Sequence, residues 1–144
     1  MVTDTVANIL TRIRNASLAK NVSTKIQYSR MNLAIIKIFK EEGYIKSYVY
    51  NKNTQKNKKD HPIEIIEIFI KYTGWWIKKP AFSIIKRISR PGKRIYCSYH
   101  NFTKCIPELK DGQGIAIIST SNGIINHCKA INYKKGGELI CYIG

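Results

Sequence analysis

Ser119-Thr120-Ser121-Asn122-Gly123 and Gly136-Gly137-Glu138 are the residues of this chain best suited to chemistry at close range. A hydroxyl donates and accepts at once, so three in succession can bond a backbone or a base edge without a charge of their own. Asn122 and Gly123 both tolerate positive φ and mark a tight turn. An ordinary hairpin tip accounts for part of this pattern, yet three consecutive hydroxyls exceed what a turn requires. If Glu138 reaches across to the hydroxyls, its carboxylate fixes their rotamers, while Gly136 and Gly137 leave room at the backbone for a ligand. Serine nucleophilic catalysis is the rival reading. It needs a base and an oxyanion hole, and the three histidines, His61, His100 and His127, stand in unsuited segments with no Gly-x-Ser-x-Gly elbow anywhere. The expectation is a binding protein and not an enzyme.

A second group surrounds Ser89-Arg90-Pro91-Gly92-Lys93-Arg94-Ile95-Tyr96. Arg90, Lys93 and Arg94 gather cations at a rigid turn, and Tyr96 ends it with an aromatic face. Phosphate contacts position a nucleic acid and aromatic faces stack on its bases, so the mixture suits structured RNA. Arg12, Arg14 and Asn15 offer a further phosphate-facing strip on a predicted helix, although a solvated helix face has the same composition. Trp75 and Trp76 are expected to be partly buried at a joint between domains rather than to serve as base platforms.

Charge points the same way. The 144 residues contain 25 Lys and Arg against 9 Asp and Glu, a formal net charge of +16, which marks a partner that is a polyanion. With 44% apolar residues the chain has material for a real core, which excludes a disordered basic tail. No amphipathic basic helix and no long apolar stretch is evident, so no membrane is expected; with neither a cofactor loop nor paired acids, no small-molecule substrate is expected either. Cys97, Cys105, Cys128 and Cys141 form no Cys-x-x-Cys pair, and Cys97-x-x-His100 is the nearest approach to ligand spacing; free thiols are expected, with no metal and no cofactor. The start, Met1-Val2-Thr3-Asp4, has neither an apolar core nor an Arg/Ser-rich import composition. The abundance of Ile, Lys, Asn and Tyr fits an A+T-rich genome, organellar or bacterial.

The elements that must position these groups follow from periodicity. Asp4 can cap a helix over residues 5–19 carrying Val6, Ile9, Leu10 and Ile13 at helical spacing. A short strand over 22–26 precedes a helix capped by Ser29 and ended by Gly43, and residues 44–50 and 63–72 alternate as strands. Between them, 51–61 is lysine-rich, lacks periodicity and reads as a solvated loop. The rest reads as a strand over 82–88, a turn at 90–92, a return strand over 94–96, a short helix within 102–109, strands over 115–119 and 123–125, a brief helix capped by Asn126, and a last strand over 139–143. The fold class is α+β in two small domains: an N-terminal α-β-α-β-β unit over 1–73 and a β-rich C-terminal unit with short helices over 74–144, the latter expected to bind RNA.

In these residues the chain closely resembles the family of small-subunit ribosomal protein eight in its bacterial and plastid form. The resemblance is carried, in order along nearly the whole chain, by Asp4-Thr5, Thr11-Arg12-Ile13-Arg14-Asn15, Glu41-Glu42-Gly43-Tyr44-Ile45, Arg87-Ile88-Ser89-Arg90-Pro91-Gly92, Arg94-Ile95-Tyr96, Gly114-Ile115-Ala116, Ser119-Thr120-Ser121 with Gly123, and Gly136-Gly137-Glu138-Leu139-Ile140-Cys141-Tyr142. It implies a primary rRNA-binding protein that helps fold the central domain of small-subunit rRNA beside neighbouring ribosomal proteins, in a plastid or, alternatively, a bacterial cytoplasm. It also implies that the serine turn is the main contact with an irregular rRNA helix. The chain departs from the family in an insertion at 51–61, in extra residues before Ile106, and in His127, Cys128 and Ile131, which stand where the family carries acidic and arginine residues. Lys129, Lys134 and Lys135 supply charge there without the planar fork of arginine.

Overall fold

The structure, a computed structural model, describes residues 4–56 and 62–144, with the side chains of 52–56, 62 and 63 excepted. Two compact units are formed, Thr5–Ala81 and Phe82–Gly144, the latter with Asp4.

In the first unit, α1 (Thr5–Leu18) buries Val6, Ile9, Leu10 and Ile13, the stripe predicted by their helical spacing, and Ala16 with them. Its end is closed by the Asn21 N–H on the Ala16 carbonyl, with Lys20 at φ 56. After β1 (Ser23–Gln27), Ser29 caps α2 (Arg30–Glu41), its hydroxyl accepting from the Asn32 N–H at 3.0 Å. Gly43, at φ 80, turns the chain so that the Tyr44 N–H reaches the Phe39 carbonyl. β2 (Ile45–Lys56) and β3 (Pro62–Ile70) complete an antiparallel sheet in the order β1-β3-β2, and Ile66, Ile68 and Ile70 alternate into the core.

The solvated loop expected over 51–61 is corrected in part. Residues 51–56 belong to β2, where Gln55 pairs with Ile63 and Lys56 with Pro62 across a register shift. Cross-strand backbone pairing overrides the polar composition there; residues 57–61 lie outside the described residues. β4 (Tyr72–Thr73) and β5 (Lys79–Pro80) pair as a small hairpin. That pairing keeps the segment beyond the expected joint at 73–74 within the first unit, whose boundary lies between Ala81 and Phe82.

The second unit is one antiparallel sheet built on its last strand. β10 (Gly137–Ile143) bonds on one side to β6 (Ile85–Arg87) and β7 (Tyr96–Cys97), and on the other to β8 (Ile115–Thr120), which pairs in turn with β9 (Gly123–Asn126). The strand expected over 82–88 is therefore shorter. It does not form a hairpin with 94–96, because both segments use their backbone groups on different stretches of β10. α3 (Phe102–Cys105), flanked by single turns of 3-10 helix, and α4 (His127–Asn132) cover one face. Their Phe102 and Ala130 join Ile106, Leu109, Ala116, Ile118, Leu139 and Tyr142 in the core. Asn126 caps α4 through a 2.8 Å bond from the Lys129 N–H. No helix among the described residues is long and apolar enough to cross a membrane.

Candidate nucleic-acid interface

The hydroxyl residues fall at the tip of the β8–β9 hairpin. Thr120 pairs with Gly123, so Ser121 and Asn122 form the turn itself and only Gly123, at φ 100, takes the conformation that favours glycine. Thr120 Oγ1 accepts from the Asn122 N–H at 3.1 Å and donates to the Gly123 carbonyl at 3.0 Å. Its hydroxyl thus holds the turn in shape. Ser121, Asn122 and Gly123 are exposed, and Ser121 Oγ accepts from Lys135 Nζ at 3.1 Å, which leaves the hydroxyl proton available to an acceptor outside the chain.

The expectation that Glu138 fixes the serine rotamers is corrected. Its Oε1 accepts from Arg94 at 2.8 Å, a bond that raises the Arg94 guanidinium above its already high range. The carboxylate takes the cation because a charge-assisted bond is stronger than one to a neutral hydroxyl. Glu138 is nonetheless adjacent to the serines through the backbone. It stands opposite Ser119 on β8 and opposite Tyr96 on β7, so Tyr96, Glu138 and Ser119 form one row across three strands. Tyr96 is 70% exposed in that row, available to stack.

Gly136 and Gly137 have a different physical reason from the one expected. A Cβ on Gly137 would lie 2.0 Å from the Ser119 carbonyl oxygen, and one on Gly136 would lie 2.6 Å from the Cys97 carbonyl oxygen. The space at these glycines is filled by the chain's own backbone, which lets β10 approach its neighbours closely.

Arg90 and Lys93 exchange backbone bonds at 3.0 and 2.9 Å around Pro91-Gly92, and both side chains are exposed. The turn is anchored by Ser89, a buried polar residue. Its Oγ donates to the Ile95 carbonyl at 3.2 Å and accepts from the Ile95 N–H at 2.9 Å. Ser89→Ala leaves the Ile95 N–H without that acceptor and is expected to cost about 1–3 kcal/mol, read as a lower denaturant midpoint.

The structure thus brings Ser119 to Gly123, Gly136 to Glu138, Arg94 and Tyr96 together at one edge of the second unit, with Arg90 and Lys93 on the adjoining turn. Arg12, Arg14 and Asn15 lie on α1 of the first unit. There Arg12 donates to the Lys25 carbonyl at 2.9 Å, so part of its fork is engaged within the unit. Lys135 is the residue that sequence reasoning had only as added charge. Its position on Ser121 follows from Lys134 at φ 53, which ends α4 and turns the chain back.

Other chemistries find little support in these side chains. His127 Nδ1 accepts from the Ala116 N–H at 3.1 Å. Burial pushes the Cys141 thiol up to about 12, far from a reactive thiolate. Among the described residues no three His, Cys, Asp or Glu side chains gather as metal ligands do.

Comparison with known proteins identifies the family. The model of the family described as ribosomal protein S8 matches residues 4–143. The "Small ribosomal subunit protein uS8c" of Gracilaria tenuistipitata var. liui is 43% identical over 143 residues, covering 99% of each chain. The "Small ribosomal subunit protein uS8" of Kosmotoga olearia is 41% identical over 144 residues, again 99% of each, and that of Borrelia duttonii is 41% identical over 143 residues, 99% of this chain and 98% of its own. The chain belongs to the ribosomal protein S8 family and is a structural component of the small ribosomal subunit, not an enzyme.

Proposed function

We propose that the chain is a primary rRNA-binding protein that seats the Ser121-Asn122-Gly123 tip on an irregular helix in the central domain of small-subunit rRNA and supports its assembly beside neighbouring ribosomal proteins. The observation that carries the reading is the tip itself: an exposed hydroxyl held by Lys135, on a turn already fixed by Thr120. Such a site is formed before the ligand arrives, so little ordering entropy opposes binding. Arg90, Lys93 and Arg94 supply phosphate charge, with Arg94 aimed by Glu138. Tyr96 supplies a stacking face, Gly136 and Gly137 the close strand approach, and Arg12, Arg14 and Asn15 a subsidiary polar strip. The ribosome is of bacterial type and by preference a plastid one, a reading supported by the uS8c relatives from Gracilaria and from Phaeodactylum tricornutum and by the Ile, Lys, Asn and Tyr bias.

The test sets hydroxyl against charge on a central-domain rRNA fragment and a scrambled RNA. Ser121→Ala leaves net charge unchanged and is expected to weaken the matched complex alone, by about 1–3 kcal/mol. Lys93→Ala is expected to weaken both RNAs alike and to reduce the salt slope by about 0.7–0.9, one phosphate's worth. Equal loss on both RNAs for Ser121→Ala would refute a specific role for the turn.

A further inference from the structure

The first unit carries a surface that the serine turn does not explain. Trp75 and Trp76, both of the chain's tryptophans, are 100% and 97% exposed in the loop of the β4–β5 hairpin, followed by the exposed Ile77. This corrects the expectation of partial burial. Two adjacent, fully solvated indoles are costly to leave in water and signal a contact surface. The loop is tightly built: Gly74 takes φ 106, and a Cβ there would lie 2.5 Å from the Ile77 carbonyl oxygen.

The same hairpin borders a groove of about 630 Å³, which Tyr72 lines from β4 and Lys78 from the loop before β5. Lys20, Lys40, Lys46 and Lys71 line it as well, together with the apolar Phe69 and Val22, and no Asp or Glu is among its lining residues. Among the described residues none of these five lysines is in an ion pair. Tyr72 keeps its place by donating to the Asn21 carbonyl at 2.6 Å.

We infer that the Trp75-Trp76 tip and the lysine groove beside it form a second RNA-docking surface, one that takes an unpaired strand: indoles stacked on bases, lysines along the phosphates. The inference rests on the reading of the chain as an RNA-binding protein. Charge selects the occupant. Five lysines with no acid among the lining residues call for a polyanion and would repel the same groove on a second copy. Adjacent aromatics select a strand whose base faces are open, because a duplex buries those faces in its own stack.

Since both tryptophans lie at this tip, emission excited selectively at tryptophan, without the nine tyrosines, reports on it alone. The full chain is titrated with an oligouridylate of about ten nucleotides, the length scale of single-strand sites. The expected result is saturable quenching, with none from a perfectly paired RNA duplex or inorganic polyphosphate of equal charge. In anisotropy with labelled oligouridylate, the double variant Trp75→Ala/Trp76→Ala should bind about 5- to 150-fold more weakly for each base stack lost, while Trp75→Phe/Trp76→Phe retains most of the affinity. Because the indoles are solvated, unchanged thermal unfolding of both variants is expected. Ser121→Ala should leave the quenching intact, which separates failure of this surface from failure of the serine turn. Unaltered fluorescence on oligouridylate binding, equal quenching by duplex or polyphosphate, or undiminished affinity of the alanine variant would overturn the proposal. So would a blue shift on phosphatidylserine vesicles at concentrations where oligouridylate does not bind.

Discussion

Gly137→Ala is expected to damage stability and RNA affinity together, whereas Gly123→Ala should affect chiefly the turn. At Gly137 the obstacle is space: the new methyl would meet the Ser119 carbonyl oxygen at 2.0 Å, and the atom in the way is backbone, which cannot rotate aside. β8 and β10 must separate there, at a cost of about 1–3 kcal/mol or more, as for other overpacked sites. The separation opens the row of Tyr96, Glu138 and Ser119, so affinity for the matched rRNA should also fall, on the order of tenfold for the loss of a specific contact. At Gly123 nothing lies within 4 Å of the added Cβ, and the obstacle is φ 100, a strain of about 1–2 kcal/mol. Chemical denaturation and RNA titration of the two variants check the contrast. Equal behaviour would show that the close approach of β10 to β8 is not what sets the site.

Affinity for rRNA should also collapse with salt, the largest effect expected of this chain. Each neutralised phosphate releases counterions, so a complex with about six to ten such contacts loses about 10³–10⁵ in affinity between 50 and 200 mM salt. A net charge of +16, with Arg90, Lys93, Arg94, Lys134 and Lys135 exposed on the second unit, places the chain in that regime. The Ser121→Ala line should run parallel to the wild-type line at lower affinity, since a neutral hydroxyl releases no ion. A shallow wild-type slope would remove the electrostatic half of the proposed function.

Local features were legible in the sequence because their causes are local. Ser29 and Asn126 read as caps, and each accepts from the N–H three residues on. The α1 stripe and Gly43 followed from spacing and from positive φ. Partnerships across the sheet were not legible. Arg94 and Glu138 lie 44 residues apart, and nothing near either one indicates that β7 pairs along the start of β10 and so places Glu138 beside Arg94 rather than over Ser121. Residues 51–56 were misread because a polar, aperiodic composition suggests a loop, while the backbone of Asn51, Gln55 and Lys56 pairs with β3. Trp75 and Trp76 were misjudged for the opposite reason: bulky apolar residues are usually buried, and only the hairpin geometry places them outside.

The placement of β10 has a consequence for synthesis. Each strand it bonds, β6, β7 and β8, precedes it in the chain, so during translation all three leave the exit tunnel before the segment that joins them. Until residues 137–143 emerge, the apolar run Ile115-Ala116-Ile117-Ile118 presents an unsatisfied edge of backbone donors and acceptors. A nascent chain paused in this interval is open to pairing with other strands, and chaperone occupancy or aggregation of stalled products should peak there. The same order makes the proposed RNA site depend on β10: Glu138 and the glycines before it reach Ser119 only when the strand that closes the sheet has been made.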